Sequence, residues 1–302
     1  MGKKKSRSTI KYRNTDRVFN AVVVTIMVIW LLIILYPLIF ILSSSFSSGE
    51  AVSTGRVILW PVEPTLRGYQ MVFAYKQIWV AYGNTILYTV LGSIVTTVVT
   101  IMAAYPLSRK NFQGRHVLMV FFAITMFFSG GLIPTYLLVS GLGLTNTRTF
   151  MIIHGCLNMT YVIIMRTFFQ SSIPDELLES AKMDGISDFK YLVKIVLPLS
   201  KAVVSVIMLY SAVAHWNSYF TPLIYLTERK YQPLQIVLQE ILLASNINQS
   251  EISDPVLLAE LAGSADIIKY ALIVVSVVPM IILYPFVQKF FEKGVMMGSL
   301  KG

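Results

Sequence analysis

The chain has 302 residues, of which 55% are hydrophobic and 13% are charged, and its formal net charge is +10. Soluble domains carry roughly 25% charged residues, so this composition cannot supply a water-facing surface and excludes a water-soluble enzyme. The single cysteine, Cys156, excludes an internal disulfide framework and a cysteine-based zinc or iron–sulfur site. A membrane protein that crosses the bilayer several times is the class that remains.

Six apolar stretches lack Asp, Glu, Lys and Arg and approach or exceed the length of a bilayer crossing. A helical crossing takes about 20 residues, and a helix satisfies its own backbone hydrogen bonds in lipid. The sequence therefore predicts an all-α polytopic membrane protein with six transmembrane helices. In chain order, the predicted spans are 18–42, 84–107, 117–139, 149–165, 202–226 and 270–287.

The basic residues predict the orientation of these spans. Seven of them precede the first span, from Lys3 to Arg17. If that end is cytoplasmic, the cytoplasmic segments hold 18 of the 25 lysines and arginines and the outer segments hold 7. This distribution follows the positive-inside rule and places both termini in the cytoplasm. The positive charge then belongs to a membrane face and not to a nucleic-acid site.

The predicted spans contain no visible source of energy for transport. Ion-driven transporters and membrane-embedded enzymes place ionisable groups in the bilayer, whereas these spans offer only His154 and His215. A lone histidine in such a helix is more often a hydrogen-bonding group between helices than a relay. The chain also lacks the phosphate-binding loop Gly-x-x-x-x-Gly-Lys-Ser/Thr. We expect no catalytic and no metal-binding residue, and any transport must be driven by a partner.

A charged segment between the fourth and fifth spans predicts a short helix. Pro174 suits the first turn of a helix, where its missing N–H is not needed, and acidic residues follow it. Leu177, Leu178 and Ala181 fall on one stripe. Gly185 is placed to end the helix in the left-handed conformation.

A second short helix is predicted over 187–196, and Pro198 is expected to fix the bend where the chain returns to the membrane. Two helices joined at a glycine form an elbow. Periodicity alone leaves two interpretations open: an apolar ridge that enters a groove of a partner, or an amphipathic connector lying on lipid headgroups.

The residues of this elbow carry a resemblance. Glu179-Ser180-Ala181, Gly185, Ile195 and Leu197-Pro198 resemble the loop E-A-A-x3-G-x9-I-x-L-P of permease subunits in binding-protein-dependent ABC importers. The departure from that pattern is Ser180, which replaces one small residue by another.

Further motifs resemble the carbohydrate-uptake branch of these permeases, of MalG type within the MetI/MalG-like type I importer fold, and the oligosaccharide permeases of Gram-positive bacteria. The motifs are Leu35-Tyr36-Pro37, Trp60-Pro61, Pro64 to Tyr69, Asn84-Thr85, Ala104 to Arg109, Gly130 to Tyr136 and Gly298 to Gly302.

The resemblance implies a non-enzymatic half of a translocation pore in a bacterial cytoplasmic membrane, importing a carbohydrate, most simply an oligosaccharide. The implied partners are a second permease subunit, two cytoplasmic ATPase subunits, an extracellular solute-binding lipoprotein and the sugar. The chain needs no cofactor, since ATP and Mg²⁺ are bound by the partner ATPase. The alternatives are the same architecture importing glycerol phosphate or a polyamine, and a membrane assembly or signalling component without a pore.

The resemblance also implies a domain organisation and a set of residues that couple the chain to the ATPase. The segments are a basic cytoplasmic N-terminus 1–17, the first span 18–42, an extracellular loop 43–83, a permease core 84–291 that includes the coupling loop 171–198 and the extracellular segment 228–269, and a cytoplasmic tail 292–302. The coupling residues are Glu179, Ser180, Ala181, Asp184, Gly185, Ile195, Leu197 and Pro198.

The substrate pathway is predicted from one cluster in the fifth span. Sugars bind to aromatic faces and neutral hydrogen-bonding groups, which His215, Trp216, Asn217 and Tyr219 would supply. The alternative is an aromatic belt at the membrane boundary. The extracellular segment 228–269 is either a small cap that docks the solute-binding protein or a helix lying on the outer headgroups. The tail either enters the ATPase interface or is a frayed terminus.

Overall fold

The computed structural model describes residues 14–247, 265–282 and 284–285. All regular structure in these residues is helical, which confirms the predicted all-α fold. Two compact units divide the chain: the first takes its described residues from Met1–Met71 and Asn248–Val274, and the second from Val72–Ile247 and Val275–Gly302. The predicted cytoplasmic tail, most of the basic N-terminus and residues 248–264 of the extracellular segment lie outside the described residues.

The first unit contains a long helix. Helix α1 (Asn14–Ser45) has 32 residues, about 48 Å at 1.5 Å per residue, and none of its apolar window is buried within the chain. It ends in serines whose hydroxyls donate to backbone carbonyls, such as Ser45 Oγ to the Leu42 carbonyl at 2.7 Å. Helix α2 (Gly49–Ser53) then starts at Ser48, whose hydroxyl accepts from the Ala51 N–H at 3.2 Å.

The second unit is built around one long helix. Helix α3 (Arg67–Ala74) leads into α4 (Lys76–Ser108), which begins earlier than the predicted span at Asn84 because the helix continues past the end of the apolar stretch. The buried face of α4 is rich in small polar residues, among them Thr89, Gly92, Ser93 and Thr96. Small side chains allow neighbouring helices to approach α4 closely.

The third predicted span is a bent pair of helices. Helices α5 (Arg115–Phe127) and α6 (Leu132–Gly141) meet at an angle of 111°. The break lies before Pro134, at Gly131, whose φ of +82° is in a region open mainly to glycine. The glycine pair therefore makes the bend, and Pro134 sits in the first turn of α6, where proline is tolerated.

The fourth predicted span is two short helices. Helix α7 (Arg148–Ile153) and helix α8 (Met159–Ser172) are separated by a segment that contains Gly155 at a φ of +70°. Asn158 caps α8, its Oδ1 accepting from the Tyr161 N–H at 3.3 Å. Hydropathy predicts an apolar stretch here but does not detect a turn whose polar groups are satisfied internally.

Short helices then form the charged elbow, followed by the fifth and sixth predicted spans. The remaining elements are α9 (Asp175–Met183), α10 (Asp188–Tyr191), a π-helical turn (Leu192–Val196), α11 (Leu197–Leu199), α12 (Lys201–Trp216), α13 (Phe220–Tyr225), a 3₁₀ turn (Arg229–Tyr231), α14 (Leu234–Ile247) and α15 (Ala265–Ile282).

The number of spans differs from the prediction in one place. Among the described residues, α1, α4 and α15 qualify as membrane spans by length and composition, and the count reaches five if α5 with α6 and the helices on either side of Ser200 each form one span. The stretch 149–165 is the one that does not qualify. The polytopic helical fold is confirmed, while the count of six stays a prediction.

Residues 228–247 of the segment predicted to be extracellular belong to the second unit. Helix α14 lies against α4, and its side chains Leu234, Ile236 and Val237 are buried. The Leu234 N–H donates to the Thr85 hydroxyl of α4 at 2.8 Å. This end of α14 is thus part of the helical core of the second unit, while the role of the segment stays a prediction.

Candidate functional site

The first arm of the elbow is a short helix with a well-defined end. Gly185 has a φ of +70°, its N–H donates to the Lys182 carbonyl at 3.0 Å, and the Ile186 N–H donates to the Ala181 carbonyl at 2.9 Å. These two bonds form a Schellman motif, in which a left-handed residue closes the helix and satisfies its last carbonyls. The predicted role of Gly185 as the end of the helix is confirmed.

The second arm bends at a different residue from the one predicted. Pro198 lies inside the helical stretch, and the 83° bend follows it at Ser200, between Leu199 and Lys201. A π-helical turn precedes the proline, with the Leu197 N–H donating to the Leu192 carbonyl. The wider turn accommodates a residue that has no N–H to donate and whose ring would crowd a regular α-helix.

One side of the elbow packs against the apolar interior of the chain. Ala181 is 3% exposed and belongs to a cluster of buried apolar side chains. Leu178, Ile195 and Leu197 pack against that cluster, while Leu177 is 39% exposed. The cluster joins α4, α8, the elbow and α12 through Ala104, Leu107, Met159, Val162, Met165, Phe169, Ile173, Tyr191, Leu192, Val196, Val203 and Ile207.

This placement corrects one predicted role. Sequence analysis assigned Ala181 to the surface that fits a partner, but the structure turns it toward the chain's own core. Glu179, Ser180, Asp184, Gly185 and Pro198 are exposed. The exposed apolar side chains of the elbow include Met183, at 89%, and Phe189, at 76%. These two residues, which the sequence pattern does not single out, are the most exposed apolar side chains of the elbow.

A cavity of about 580 Å³ lies between the elbow and the end of α4. Glu179 lines it together with the basic residues Arg109, Lys110 and Lys182. Within the described chain, no ion pair involves Glu179, whereas the Lys110 ammonium lies 2.7 Å from the Asp175 carboxylate. The hydrogen bond from Lys110 lowers the pKa of Asp175 and, reciprocally, the bond to Asp175 raises the pKa of Lys110.

Polar contacts attach the end of α4 to its neighbours. The Arg166 Nε of α8 donates to the Leu107 carbonyl at 2.9 Å, which satisfies one of the last carbonyls of α4. The Arg109 guanidinium stacks on the ring of Tyr105 at 4.8 Å and on that of Tyr191, in the elbow, at 5.6 Å. The elbow, α8 and the end of α4 are therefore connected by polar contacts as well as by apolar packing.

The four residues predicted to line the substrate pathway have different environments in the structure. His215 lines a cavity of about 220 Å³ within the second unit. Trp216 is buried, and its Nε1 donates to the Ser276 carbonyl at 3.1 Å. The exposed Asn217 donates to the Val213 carbonyl of its own helix at 3.0 Å, and Tyr219 does not line the cavity. Of the four predicted residues, only His215 faces this cavity.

The other lining residues come from helices far apart in the sequence. They carry hydroxyl, phenol, amide and imidazole groups, and none is Asp, Glu, Lys or Arg. The threonine and serine spacing on α4 is a signal in the sequence for its polar face, but no local pattern identifies the residues that meet it. Besides His215, the polar lining residues are Tyr88, Thr96, His154, Asn158, Tyr161, Ser211, Ser218 and Thr221.

Apolar helices and an ordered elbow between two of them define an all-helical polytopic membrane protein. The model of one family, described as binding-protein-dependent transport system inner membrane component, matches residues 96–297. The chain belongs to this family of permease subunits. The matched region contains the elbow, every lining residue of the cavity beside it and every lining residue of the other cavity except Tyr88.

Two curated relatives and one solved structure illustrate the similarity. The chain is 36% identical over 292 residues to the polygalacturonan/rhamnogalacturonan transport system permease protein YtcP of Bacillus subtilis strain 168, covering 95% of this chain and 99% of that protein. It is 25% identical over 276 residues to the arabinooligosaccharides transport system permease protein AraQ of the same organism, covering 90% and 92%.

The solved structure belongs to a bacterial ABC transporter involved in the import of the acidic polysaccharide alginate. One of its chains has a TM-score of 0.84 and 37% sequence identity to this chain, and the match covers 94% of this chain and all of that one. The similarity thus extends well beyond the elbow motif. It includes the helices on which both cavities depend.

Proposed function

We propose that this chain forms half of the translocation pore of an ABC importer whose cargo is a carbohydrate. The observation that carries the proposal is the match, at 37% identity and a TM-score of 0.84, to a chain of an alginate importer. The names of YtcP and AraQ, which state transport of polygalacturonan or rhamnogalacturonan and of arabinooligosaccharides, support the same cargo class. A glycerol phosphate or polyamine cargo has no comparable support, and family membership argues against an assembly or signalling component.

The cargo class can be narrowed to acidic oligosaccharides. Alginate is an acidic polysaccharide, and polygalacturonan is a chain of uronic acids. The relatives named for these cargoes are 37% and 36% identical to this chain, whereas the relative named for arabinooligosaccharides is 25% identical. We therefore assign a uronate-containing oligosaccharide to this importer ahead of a neutral one.

The elbow is the element through which a cytoplasmic ATPase would move the pore. Met183 and Phe189 form an exposed apolar surface suited to a groove in another protein. Glu179 is exposed and makes no ion pair within the described chain, so it is available to a basic residue of the ATPase. Asp184 and Gly185 lie at the exposed corner between the two arms.

The buried side of the elbow would transmit the motion. The cluster around Ala181 joins the elbow to α4, α8 and α12, and close-packed interiors transmit displacement with little deformation. Closure of an ATPase dimer would shift these helices together and bias the pore between inward-open and outward-open states. Nucleotide and Mg²⁺ would be bound by the ATPase, so this chain needs no cofactor.

The complete assembly contains a second permease subunit, two ATPase subunits and an extracellular solute-binding lipoprotein. Both termini and the elbow lie in the cytoplasm of a bacterium, as the distribution of lysine and arginine predicts. The test is deletion of the gene followed by uptake of radiolabelled trigalacturonate, a mannuronate trimer and an arabinotriose. Loss of uronate uptake that the restored gene repairs supports the proposal, and unchanged uptake of all three contradicts it.

A further inference from the structure

The cavity of about 220 Å³ has a lining whose chemistry suits a sugar. It lies among α4, α7, α8, α12 and α13, inside the second unit. Its lining combines aromatic faces with neutral hydrogen-bonding groups and contains no carboxylate, ammonium or guanidinium. The hydroxyls and apolar C–H face of a sugar ring match this combination. The carboxylate of a uronate residue would stay outside the cavity, because burying it without a cationic partner costs free energy.

The imidazole of His215 is held in one orientation. Its Nδ1 lies 2.8 Å from the Ser211 carbonyl oxygen, which can only accept, so Nδ1 carries the hydrogen. In the neutral ring Nε2 is then an acceptor, and it has no hydrogen-bond partner in the described chain. The second ring nitrogen is therefore available to a ligand hydroxyl.

Gly92 of α4 provides the space that this imidazole occupies. A Cβ added to Gly92 would lie 2.3 Å from His215 Nε2 and 2.4 Å from its Cδ2, closer than non-bonded atoms approach. Any larger residue at position 92 must therefore displace the ring. Gly83, on the same helix, has nothing within 4 Å of such a Cβ.

Thr96 supplies a second hydrogen-bonding group one turn along the same face of α4. Its side chain lines the cavity and is 1% exposed, yet its Oγ1 has no hydrogen-bond partner in the described chain. Buried hydroxyls are nearly always hydrogen-bonded. The hydroxyls of Ser218 and Thr221, which also line the cavity, make no side-chain hydrogen bond within the described residues.

We propose that this cavity is a subsite for one sugar residue of the transported oligosaccharide, with His215 Nε2 and Thr96 Oγ1 as hydrogen-bonding groups. The inference rests on the proposed carbohydrate cargo and goes beyond it by assigning the site to this chain. Tyr88 and Tyr161 contribute the aromatic part of the lining. Gly92 acts as a positioning residue, since it permits the orientation of His215.

The first test uses Gly92→Ala, with Gly83→Ala as the matched control. Both variants make the same chemical change on α4. Trigalacturonate uptake and the stimulation of ATP hydrolysis by loaded binding protein are measured with the full importer in proteoliposomes. We expect Gly92→Ala to lower uptake about tenfold, as expected for the loss of about one hydrogen bond with a buried partner, while ATP hydrolysis stays within about twofold of the wild type. Gly83→Ala should match the wild type in both measurements.

The second test separates ligand binding from packing at Thr96. Thr96→Val keeps the shape and removes the hydroxyl, and Thr96→Ser keeps the hydroxyl. If the hydroxyl binds sugar, Thr96→Val raises the KM for uptake several-fold and Thr96→Ser restores it. If the hydroxyl binds nothing, Thr96→Val transports like the wild type, and this result would overturn the proposal.

The outcomes distinguish this subsite from the proposed function. A wild-type importer that moves none of the uronate, neutral or arabinose oligosaccharides contradicts the cargo class. A wild-type importer that transports trigalacturonate, with Gly92→Ala and Thr96→Val equal to it, contradicts only the subsite. A parallel loss of ATP hydrolysis and uptake in both variants also contradicts the subsite, because it shows a role in the structure alone.

Discussion

The Lys110 ammonium lies 2.7 Å from the Asp175 carboxylate and joins the loop after α4 to the first turn of the elbow helix. The side chains are 75% and 48% exposed, and exposed ion pairs contribute little to stability. The pair therefore orients the elbow relative to α4 while the buried cluster around Ala181 holds it in place. This distinction leads to different expectations for changes on the two sides of the elbow.

The first prediction concerns the pH dependence of this ion pair. The pKa of Asp175 is lowered from 3.8, so its contribution is present above that value and is lost as the pH falls through the lowered pKa. The pKa of Lys110 is raised from 10.5, so its contribution is present below that value and is lost as the pH rises through the raised pKa. We expect a small difference in Tm between the wild type and Lys110→Ala that stays constant from about pH 5 to about pH 9. A difference that changes across this range in thermal unfolding of the purified subunit would contradict the assignment.

The second prediction concerns the buried side of the elbow. Ala181→Leu places a larger side chain in a packed cluster. Because overpacking costs about 1 to 3 kcal/mol, we expect this variant to have a lower Tm than the wild type. Ser180→Leu, the neighbouring change on the exposed side, should leave the Tm nearly unchanged. Thermal unfolding of both purified variants measures the effect. Equal Tm values for the two variants would mean that Ala181 does not face the interior.

The third prediction concerns the corner between the two arms. Gly185 has a φ of +70°, and a Cβ added to it would have nothing within 4 Å, so Gly185→Val is strained by the backbone and not by a clash. Gly143 shares both properties, with a φ of +66°, and Gly143→Val is the matched control. We expect Gly185→Val to abolish uptake while Gly143→Val retains it, measured as labelled oligosaccharide uptake at equal membrane expression. Equal uptake by the two variants would contradict a special role for the elbow.

The fourth prediction concerns the charge that the elbow offers to a partner. Glu179→Lys should abolish uptake and leave expression intact, because it removes an acidic group from a cavity that already contains Arg109, Lys110 and Lys182. Glu176→Lys, on the same exposed helix, reverses a charge outside that cavity and should reduce uptake much less. Transport assays on cells expressing each variant compare the two. If Glu179→Lys transports like the wild type, the acidic group has no part in coupling.

Sequence reasoning predicted those features of the elbow that depend on local chemistry. Gly185 could be assigned because a glycine after a short amphipathic helix has one favoured role. The bend at Ser200 could not be predicted, because it depends on a π-helical turn several residues earlier and on packing against other helices. Ala181 was assigned to the wrong side for a similar reason: the apolar stripe of a helix shows which side chains avoid water but not which protein they contact.

In the membrane helices, too, the sequence predicts features that depend on neighbouring residues and misses those that depend on contacts between distant helices. Hydropathy located the stretch 149–165, but the turn at Gly155 depends on backbone groups being satisfied within the protein. The substrate cluster was selected as consecutive residues, whereas helical geometry turns Trp216 toward Ser276 and leaves His215 at the cavity. Thr96 and Gly92 meet His215 only because α4 and α12 pack together.

The most direct test of the account is cross-linking between the elbow and the ATPase. Cys156 is the chain's single cysteine, so Cys156→Ser provides a cysteine-free background for Phe189→Cys and, as the buried control, Ala181→Cys. The measurement is covalent capture of the ATPase by benzophenone maleimide, which bonds to the introduced cysteine and, on illumination, to C–H groups of a protein within reach, in membranes expressing the whole importer. The account predicts capture from position 189 and none from position 181. Capture from position 181 alone, or failure at position 189 in a transporting complex, would contradict it.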